Sequence, residues 1–407
     1  MTVAAPHLQR LAIPQTADAA IAAARELAAE FASGAAARDA DRQLPHQQLQ
    51  QLRQSGLLAI GIPAADGGPG LPSSVIAQTT AVLAAADPNI AQIPHSHYVY
   101  LGLVRLAAPD ALRRRLFDAV LAGGQIANAQ TERGGKTAAD IATTLVADGA
   151  GYRLDGEKFY CTGSLFADTL AVVAQLDEPL DGGEPGQYVA FIPADAAGVH
   201  IADDWDALGQ RTTASGTITF DKVRVAADAL APRAPATSCP TGYGAVAQLL
   251  HAAIDTGIGR GALRAAADFV KTKSRPWFEA GVDRAVDDPL LVQRFGELSV
   301  IVSAAEAALV AAGVQVDLAV DNSCASSAAE ASLAVATAKI LADRAATEVP
   351  SALFEVSGTR AAGAGSGLDH FLRNGRTHTL HDPVRWKYQH LGRALLRDEL
   401  PPLHGAL

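Results

Sequence analysis

Cysteine is scarce in this chain. Cys161, Cys239 and Cys324 are scattered over 407 residues with no CxxC pair, which excludes a disulfide framework and fits a reducing cytoplasm. Long basic runs are missing too. Lys and Arg number 33 against 43 Asp and Glu, a net charge of −10, so neither nucleic acid nor an anionic membrane is an expected partner. No stretch offers 18 uninterrupted apolar residues, and "MTVAAPHLQRLAIPQTADAA" lacks the charged and apolar regions of a secretory leader. The reading is a soluble, cytoplasmic protein. Aromatic residues are only 5%, while hydrophobic content is 49% and alanine abounds. That composition suits long packed helices in two to three domains and argues against disorder.

The texture changes twice along the chain. Helical signals fill the first part: "TADAAIAAARELAAEFAS" (16–33), "PHQQLQQLRQSGLLAIGIP" (45–63), "PSSVIAQTTAVLAAAD" (72–87) and "PDALRRRLFDAVLAGG" (109–124). From residue 125 the segments are short, alternating and punctuated by Gly, Asp and Pro: "QIANAQTE", "TTLVADGAGYRLDGEKFYCTG", "TLAVVAQL", "QYVAFIPAD", "GVHIADDW" and "GTITFDKVRVA". They read as a sheet. Helices return near 240, with candidates at 241–273, 288–318, 326–347 and 368–396, the third ending before Pro350. The expectation is α+β in three units: an N-terminal helical domain (1–124), a middle β domain (125–232) and a C-terminal helical bundle (233–407).

Chemistry-bearing residues crowd the end of the chain. "THTLHDPVRWKYQHLG" (377–392) holds His378, His381, Asp382, Arg385, Lys387 and His390 beside Trp386 and Tyr388. "HSH" (95–97) and "HTLH" (378–381) offer imidazole pairs, but neither comes with a third ligand or an ExxH, and no metal site is expected. "GAGSG" (363–367) and "DGGPG" (66–70) match neither a P-loop nor a strand–GxGxxG–helix unit, so no Rossmann domain is expected. In the sheet region, "NAQTERGG" (128–135), "KFYCTGSLFAD" (158–168) and "ALGQRTTASGTITFDKVRV" (207–225, following Trp205) place hydroxyls, amides and an indole at strand ends. Such groups can hold a planar, hydrogen-bonding ring. Taken singly, each is ordinary turn chemistry.

In this order and spacing the strings resemble the acyl-CoA dehydrogenase superfamily. "AQTERGG" stands where that family has T-E-P-x-A-G, "KFYCTGSLFAD" where it has W-I-T-N-G-x-x-A-D, and "RPWF" (275–278) where it has R-x-x-F-G. "LGQRTTASGTITFDKVRV" is similar to its G-x-R-x-S-x-T…F-x-x-V-x-V strand pair. The resemblance covers nearly the whole chain. It implies an N-terminal α-helical domain, a middle β-barrel domain and a C-terminal four-helix bundle, with flavin between the last two.

The dehydrogenases need a carboxylate to remove an acyl α-proton. In one of the family's two positions this chain has "RTHTLHDP", giving His381 and Asp382, with Asp382 short and followed by Pro383. The other falls at or beside Leu249. "RTHTLHDPV" instead resembles the flavin-dependent monooxygenase branch, whose members take reduced flavin and O₂. A reduced flavin meeting O₂ needs an imidazole and a hydroxyl in a dry pocket. Carried across, His381 and Thr162 take those roles. Asn128, Thr131, Lys158, Trp205, Arg275 and Arg360 are then implied as flavin contacts, Arg suiting phosphate through its bidentate fork. The branch has a His-x-x-x-Tyr-His stretch near its substrate. Here it reads "QIPHSH", with Gln92 and Ser96 replacing the first His and the Tyr while His97 keeps its place, which leaves His97, or His95 beside it, as the candidate base.

The resemblance therefore implies a two-component flavin monooxygenase. It would use reduced FMN from a separate NAD(P)H flavin reductase, and O₂, to oxygenate a small organosulfur compound in sulfur acquisition. An FAD-dependent acyl-CoA dehydrogenase and a non-catalytic flavin-binding scaffold are the alternatives. The long, alanine-rich helices are apolar on more than one face, and with the family's habit this points to a homotetramer.

Overall fold

The computed structural model describes residues 11–405 apart from Ala138 and Asp181. The first and last expected units therefore run beyond the described residues at 1–10 and 406–407. Seven helices come first: α1 (Ala17–Ala32), α2 (Ala35–Ala40), α3 (His46–Gln54), α4 (Ser73–Ala84), α5 (Pro88–Gln92), α6 (His95–Ala107) and α7 (Asp110–Leu121). α1 starts where Thr16 accepts a hydrogen bond from Ala19 N. The helix expected to start at Pro45 and stop near Gly56 is α3, which ends at Gln54, because Gly56 takes a left-handed φ of 74° and only a short 3₁₀ turn follows.

Eight strands follow: β1 (Ile126–Ala129), β2 (Thr144–Asp148), β3 (Gly151–Lys158), β4 (Thr169–Leu176), β5 (Gly186–Pro193), β6 (Val199–Ile201), β7 (Ile218–Ala226) and β8 (Leu230–Pro232). They form one mixed sheet in the order β6-β7-β3-β2-β4-β5-β8, with β1 beside β4. β1 and β2 meet β4 in parallel, and the other pairings are antiparallel. The expected hairpin is β2–β3, turned at Gly149 with φ 64°.

After the short α8 (Ala234–Thr237) come α9 (Tyr243–Thr272), α10 (Pro289–Asp321), α11 (Ala325–Ser357), α12 (Asp369–His378) and α13 (Arg385–Arg397). α9 is the central rod, packed against α11, α10 and α4 and buried almost all round from Ala245 to Leu263. Its glycines permit this. A Cβ on Gly257 would lie 2.4 Å from Ala81 O and one on Gly261 2.4 Å from Ala85 O, so α4 approaches by backbone.

Two sequence expectations are corrected in the bundle. α11 does not stop before Pro350. It runs through that buried residue to Ser357. Proline cannot donate to the carbonyl four residues back, but that carbonyl, Ala346 O, is met by α12, where a Cβ on Gly375 would lie only 2.2 Å from it. Nor is 368–396 one helix. α12 ends at His378 and α13 begins at Arg385, and "THTLHDP" is the break between them. The fourth helix of the bundle is thus two pieces, and the chemistry-bearing segment is their joint. α10 is long and apolar enough to cross a membrane by length and composition alone. Here one face of it lies in the core through Leu298, Val302, Ala305, Leu309 and Val316.

Candidate active site

Three elements meet at the α12–α13 joint. α9 brings His251 and Asp255, α12 ends on His378, and α5 ends on Gln92. α5 is held firmly for a helix of five residues. Asp87 caps it by accepting from Asn89 N and Ile90 N, Pro88 opens it, and Arg38 binds Asp87 at 2.9 Å. Its Asn89 Oδ1 accepts from Thr212 N at 3.2 Å, which ties α5 to the loop before β7. Gln210 N of that loop also donates to Asn374 Oδ1 of α12 at 2.5 Å.

The polar side chains form a continuous set. His378 Nδ1 lies 2.5 Å from Asp255 Oδ1, and Lys339 Nζ lies 2.6 Å from Asp255 Oδ2. His378, Asp255 and Lys339 are wholly buried. His378 Nε2 is 3.1 Å from both His251 Nδ1 and Gln92 Oε1. Gln92 Nε2 is 3.2 Å from His381 Nε2, and His381 Nδ1 donates to His378 O at 2.7 Å. His95 stacks on His251 with ring centroids 3.9 Å apart. Burial drives the His251 imidazole well below its ordinary pKa, with His95 adding to the effect. The protein around His381, and then the nearby His378, likewise holds His381 below its ordinary value. Ligand nitrogens of His251, His378 and His381 all lie within 4.8 Å, wider than the roughly 3.3 Å between ligands of a tetrahedral zinc ion.

A second set lies at the start of the turn after β3. Thr162 Oγ1 is 2.8 Å from Ser215 Oγ, which is 2.7 Å from Thr213 Oγ1, which donates to Gln210 O at 2.8 Å. A carbonyl only accepts and each hydroxyl has one hydrogen. Thr213 therefore gives its hydrogen to Gln210, Ser215 gives to Thr213, and Thr162 gives to Ser215. What Thr162 has left is lone pairs. The next residue, Gly163, takes φ 78°, and a Cβ there would lie 3.3 Å from Ile93 O. The Thr162 turn thus packs on the residue after Gln92, and the hydroxyl set adjoins the histidine set. Asn128 of β1 leaves its buried Oδ1 without a partner, as does Gln210 its Oε1. Unpaired buried acceptors of this kind fit a bound ring that carries N–H groups.

Other residues singled out in the sequence stand differently. His97 is fully buried, with Nε2 2.9 Å from Leu58 O and Nδ1 accepting from Ile126 N at 3.1 Å. Both nitrogens serve the backbone, pinning α6 to β1. Lys158 is buried, and its ammonium binds Glu132 at 2.6 Å and Gln130 O at 3.1 Å. Burial raises the Glu132 pKa, but Lys158 and Thr143 outweigh it and hold the carboxyl at about 2. Together they brace the "TERGG" turn. Thr131 bridges Phe159 through its backbone, and Trp205 Nε1 donates to Gln210 O at 2.7 Å. Arg275 and Arg360 are exposed. Arg360 donates to Lys273 O at 2.8 Å, and Ser274 Oγ donates to Ser357 O at 3.0 Å, so the two arginines share one end of the bundle. That end lies about 30 Å along α9 from His251 at 1.5 Å per residue. A separate cavity of about 430 Å³, lined by Tyr98, Leu101, Arg105, Leu250 and Asp317 among others, includes none of the residues named for the site.

The sequence singles out His381 and Thr162, which the structure brings to adjoining polar sets, but Asp255, Lys339 and His251 were not among the expected residues. The signal was present: Asp255 is a lone carboxylate on an otherwise apolar stretch of α9, and Lys339 is the lone charge in the stretch 331–342 of α11. Charges in such settings are rarely buried unless paired.

The chain matches three family models in succession: the acyl-CoA dehydrogenase N-terminal domain over 14–124, the middle domain over 127–223 and the C-terminal domain over 249–386. It is 32% identical over 395 residues to dibenzothiophene monooxygenase from Rhodococcus qingshengii, covering 94% of each chain. It is 33% identical over 388 residues to the probable FMNH2-dependent monooxygenase SfnC of Pseudomonas putida, covering 94% of this chain and 96% of the other. Among solved structures, FMN-bound TdsC from Paenibacillus sp. A11-2 superposes with a TM-score of 0.89 at 32% identity, over 95% of this chain and 100% of that one. Methanesulfinate monooxygenase MsuC from Pseudomonas fluorescens gives 0.88 at 31% identity, over 95% and 99%. The chain belongs to the acyl-CoA dehydrogenase family.

Proposed function

We propose that this protein is a flavin-dependent monooxygenase that takes reduced FMN and O₂ and oxygenates a small organosulfur compound. The observation that carries the reading is the group at the α12–α13 joint. It is an imidazole site whose nearby carboxylates, Asp255 and Asp382, are both buried and face a lysine or histidine. Leu249 is buried apolar core, and the one carboxylate nearby on α9, Asp255, is bound on both oxygens by Lys339 and His378. An acyl α-proton would meet imidazole first, since Asp382 lies buried with Lys387 3.6 Å away, and this weighs against the FAD dehydrogenase alternative. The relatives named above, a dibenzothiophene monooxygenase, an FMNH2-dependent monooxygenase and a methanesulfinate monooxygenase, support the substrate class.

Reduced FMN supplies the electrons that activate O₂, so that one oxygen atom passes to sulfur and the other leaves as water. The rest is done by this chain. Thr162, its hydrogen turned inward, and Asn128, its buried Oδ1 unpaired, would hold the ring by accepting from its N–H groups. His381 and Gln92 would offer imidazole and amide groups to the bound ring, beside the apolar wall of α9. Lys158 holds the adjoining turn through Glu132.

Arg275 and Arg360 act on the flavin of a neighbouring copy, since they stand about 30 Å along α9 from His251 of their own chain. This accords with a homotetramer assembled through the bundles. The exposed faces of α10 and the segment before it supply the apolar surface: Val310, Val314 and Leu318 are 48–54% exposed, and Trp277 and Phe278 are 61% and 78% exposed. The electrons come from a separate NAD(P)H flavin reductase, in keeping with a cytoplasmic setting. Titration with FMN, FAD and their reduced forms tests the cofactor, and a panel of sulfides, sulfones and thiophenes tests the substrate. Tight binding of FAD alone, or flavin reduction by an acyl-CoA without oxygen, would overturn the reading.

A further inference from the structure

The hydrogen bonds around His378 fix where protons must sit. Asp255, held by Lys339, can only accept, so His378 Nδ1 carries a hydrogen. At the other end, the His378 carbonyl can only accept, so His381 Nδ1 carries one too. Between the rings stands Gln92, with one amide atom 3.1 Å from His378 Nε2 and the other 3.2 Å from His381 Nε2. As placed, the amide nitrogen donates to a bare His381 Nε2, and the amide oxygen faces His378 Nε2, which then needs a hydrogen of its own. Turning the amide over moves the need to His381 but does not remove it. With His251 Nδ1 bare, two imidazoles and an amide strung between two acceptors are complete only with one proton more than two neutral rings hold. A hydrogen on His251 Nδ1 would instead satisfy His378 Nε2 and leave its contact with Gln92 Oε1 unbonded.

We propose that Asp255 is the positioning residue of this site: it keeps His378 doubly protonated, and so fixes the Gln92 amide and the bare Nε2 of His381. The inference rests on the reading that flavin is received at His381. The groups around His378 fit it. On α9, His251 stays neutral through burial, and in the proposed arrangement its Nδ1 is the bare nitrogen that shares the hydrogen of His378 Nε2 at 3.1 Å. On α6, burial lowers His95 to about 4. α11 presents Lys339 and also Asp343, whose pKa burial raises. Beyond α12 lie Asp382 and Lys387, 3.6 Å apart. Asp255 is thus the carboxylate that touches His378, and it sits opposite Gln92 on the ring. A cationic ring at this point also favours an electron-rich reduced flavin over the oxidised form.

The test is nitrogen NMR on ¹⁵N-histidine-labelled protein at pH 7 without flavin. His378 and His381 are assigned by the signals lost in His378→Gln and His381→Gln. In the wild type, both His378 nitrogens should carry hydrogen, while His381 shows one N–H and one bare nitrogen. Asp255→Asn should return His378 to a single N–H. Gln92→Leu, which cuts the chain without touching the ion pair, should do the same. A bare His378 nitrogen in the wild type overturns the proposal, and so does an unchanged His378 in folded Asp255→Asn. In the loaded enzyme, Asp255→Asn should displace the pH profile of kcat and weaken reduced FMN about tenfold relative to oxidised FMN. A purely structural role would weaken both forms alike and leave the profile in place, against the proposal. Should the wild type show the proton pattern yet oxygenate nothing, the functional reading fails while the positioning role stands.

Discussion

Thr162 and His97 show how differently two candidate residues are used. Thr162 gives its hydrogen to Ser215 and keeps only lone pairs for a ligand. Thr162→Ala should therefore weaken reduced FMN by roughly five- to tenfold, the worth of about 1 kcal/mol for one hydrogen bond, and leave oxidised FMN nearly unaffected. Parallel titrations of the two redox forms check this, and equal loss for both would contradict the assigned direction. His97 has no nitrogen left for substrate. His97→Ala should cost about 2–4 kcal/mol in denaturant unfolding by orphaning Ile126 N and Leu58 O, while the folded fraction keeps its kcat. A stable but inactive variant would show that the base role expected from sequence holds. His95 and His97 are both held to about 4 by burial. Neutral in the fold, they contribute stability that is complete above about pH 6.5 and fades as pH falls toward 4, by roughly 3 kcal/mol each at most. Asp255, near 2 because Lys339 and His378 outweigh its burial, enters only below about pH 4. Unfolding free energy measured from pH 7 to 4 should therefore fall steadily, and a flat profile would contradict the neutral buried rings. His381 and Thr162 were legible because a motif brackets each of them. The use of His97 was not, since its partners are backbone groups 39 and 29 residues away.

At the level of elements, the site is a joint between helices. α12 lies against α11 where Pro350 leaves Ala346 O undonated, and Gly375 fills the space with no side chain. Gly375→Ala would drive a Cβ to 2.2 Å from that oxygen, so α12 must shift. The expected cost is about 2–3 kcal/mol of stability, with loss of flavin affinity because His378 lies one turn further on. Thermal unfolding and FMN titration measure the two effects. A variant with full stability and affinity would show that α12 does not depend on this contact. Most elements were readable from periodicity: α1, α4, α7 and the strands from β1 to β7 fall where alternation and helical spacing put them. The misses have physical causes. Pro350 was read as a stop because the partner for its orphan carbonyl comes from another helix. The α12–α13 break was read through because Leu380 and Val384 continue a helical spacing that His381-Asp382-Pro383 interrupts.

The whole molecule leaves the outer stripe of α10 uncovered. Val310, Val314 and Leu318 repeat every four residues and are about half exposed. Val314→Glu should lower the assembly state in sedimentation equilibrium and weaken FMN in step, if Arg275 and Arg360 serve a neighbour's site. A variant that stays assembled, or one that dissociates with FMN affinity intact, would contradict that account. The three-part organisation was legible from the two changes of period. The proposed assembly rests in the sequence only on an excess of apolar faces, because a sequence names no partner surface. The central claim is oxygen transfer to sulfur by reduced FMN, and a single turnover with ¹⁸O₂ tests it most directly. Protein loaded anaerobically with reduced FMN and an organosulfur substrate is mixed with ¹⁸O₂, and the product is weighed by mass spectrometry. The account predicts one ¹⁸O atom in the sulfur product for each FMN oxidised. Unlabelled product, or FMN oxidised solely to hydrogen peroxide across the whole substrate panel, would contradict it.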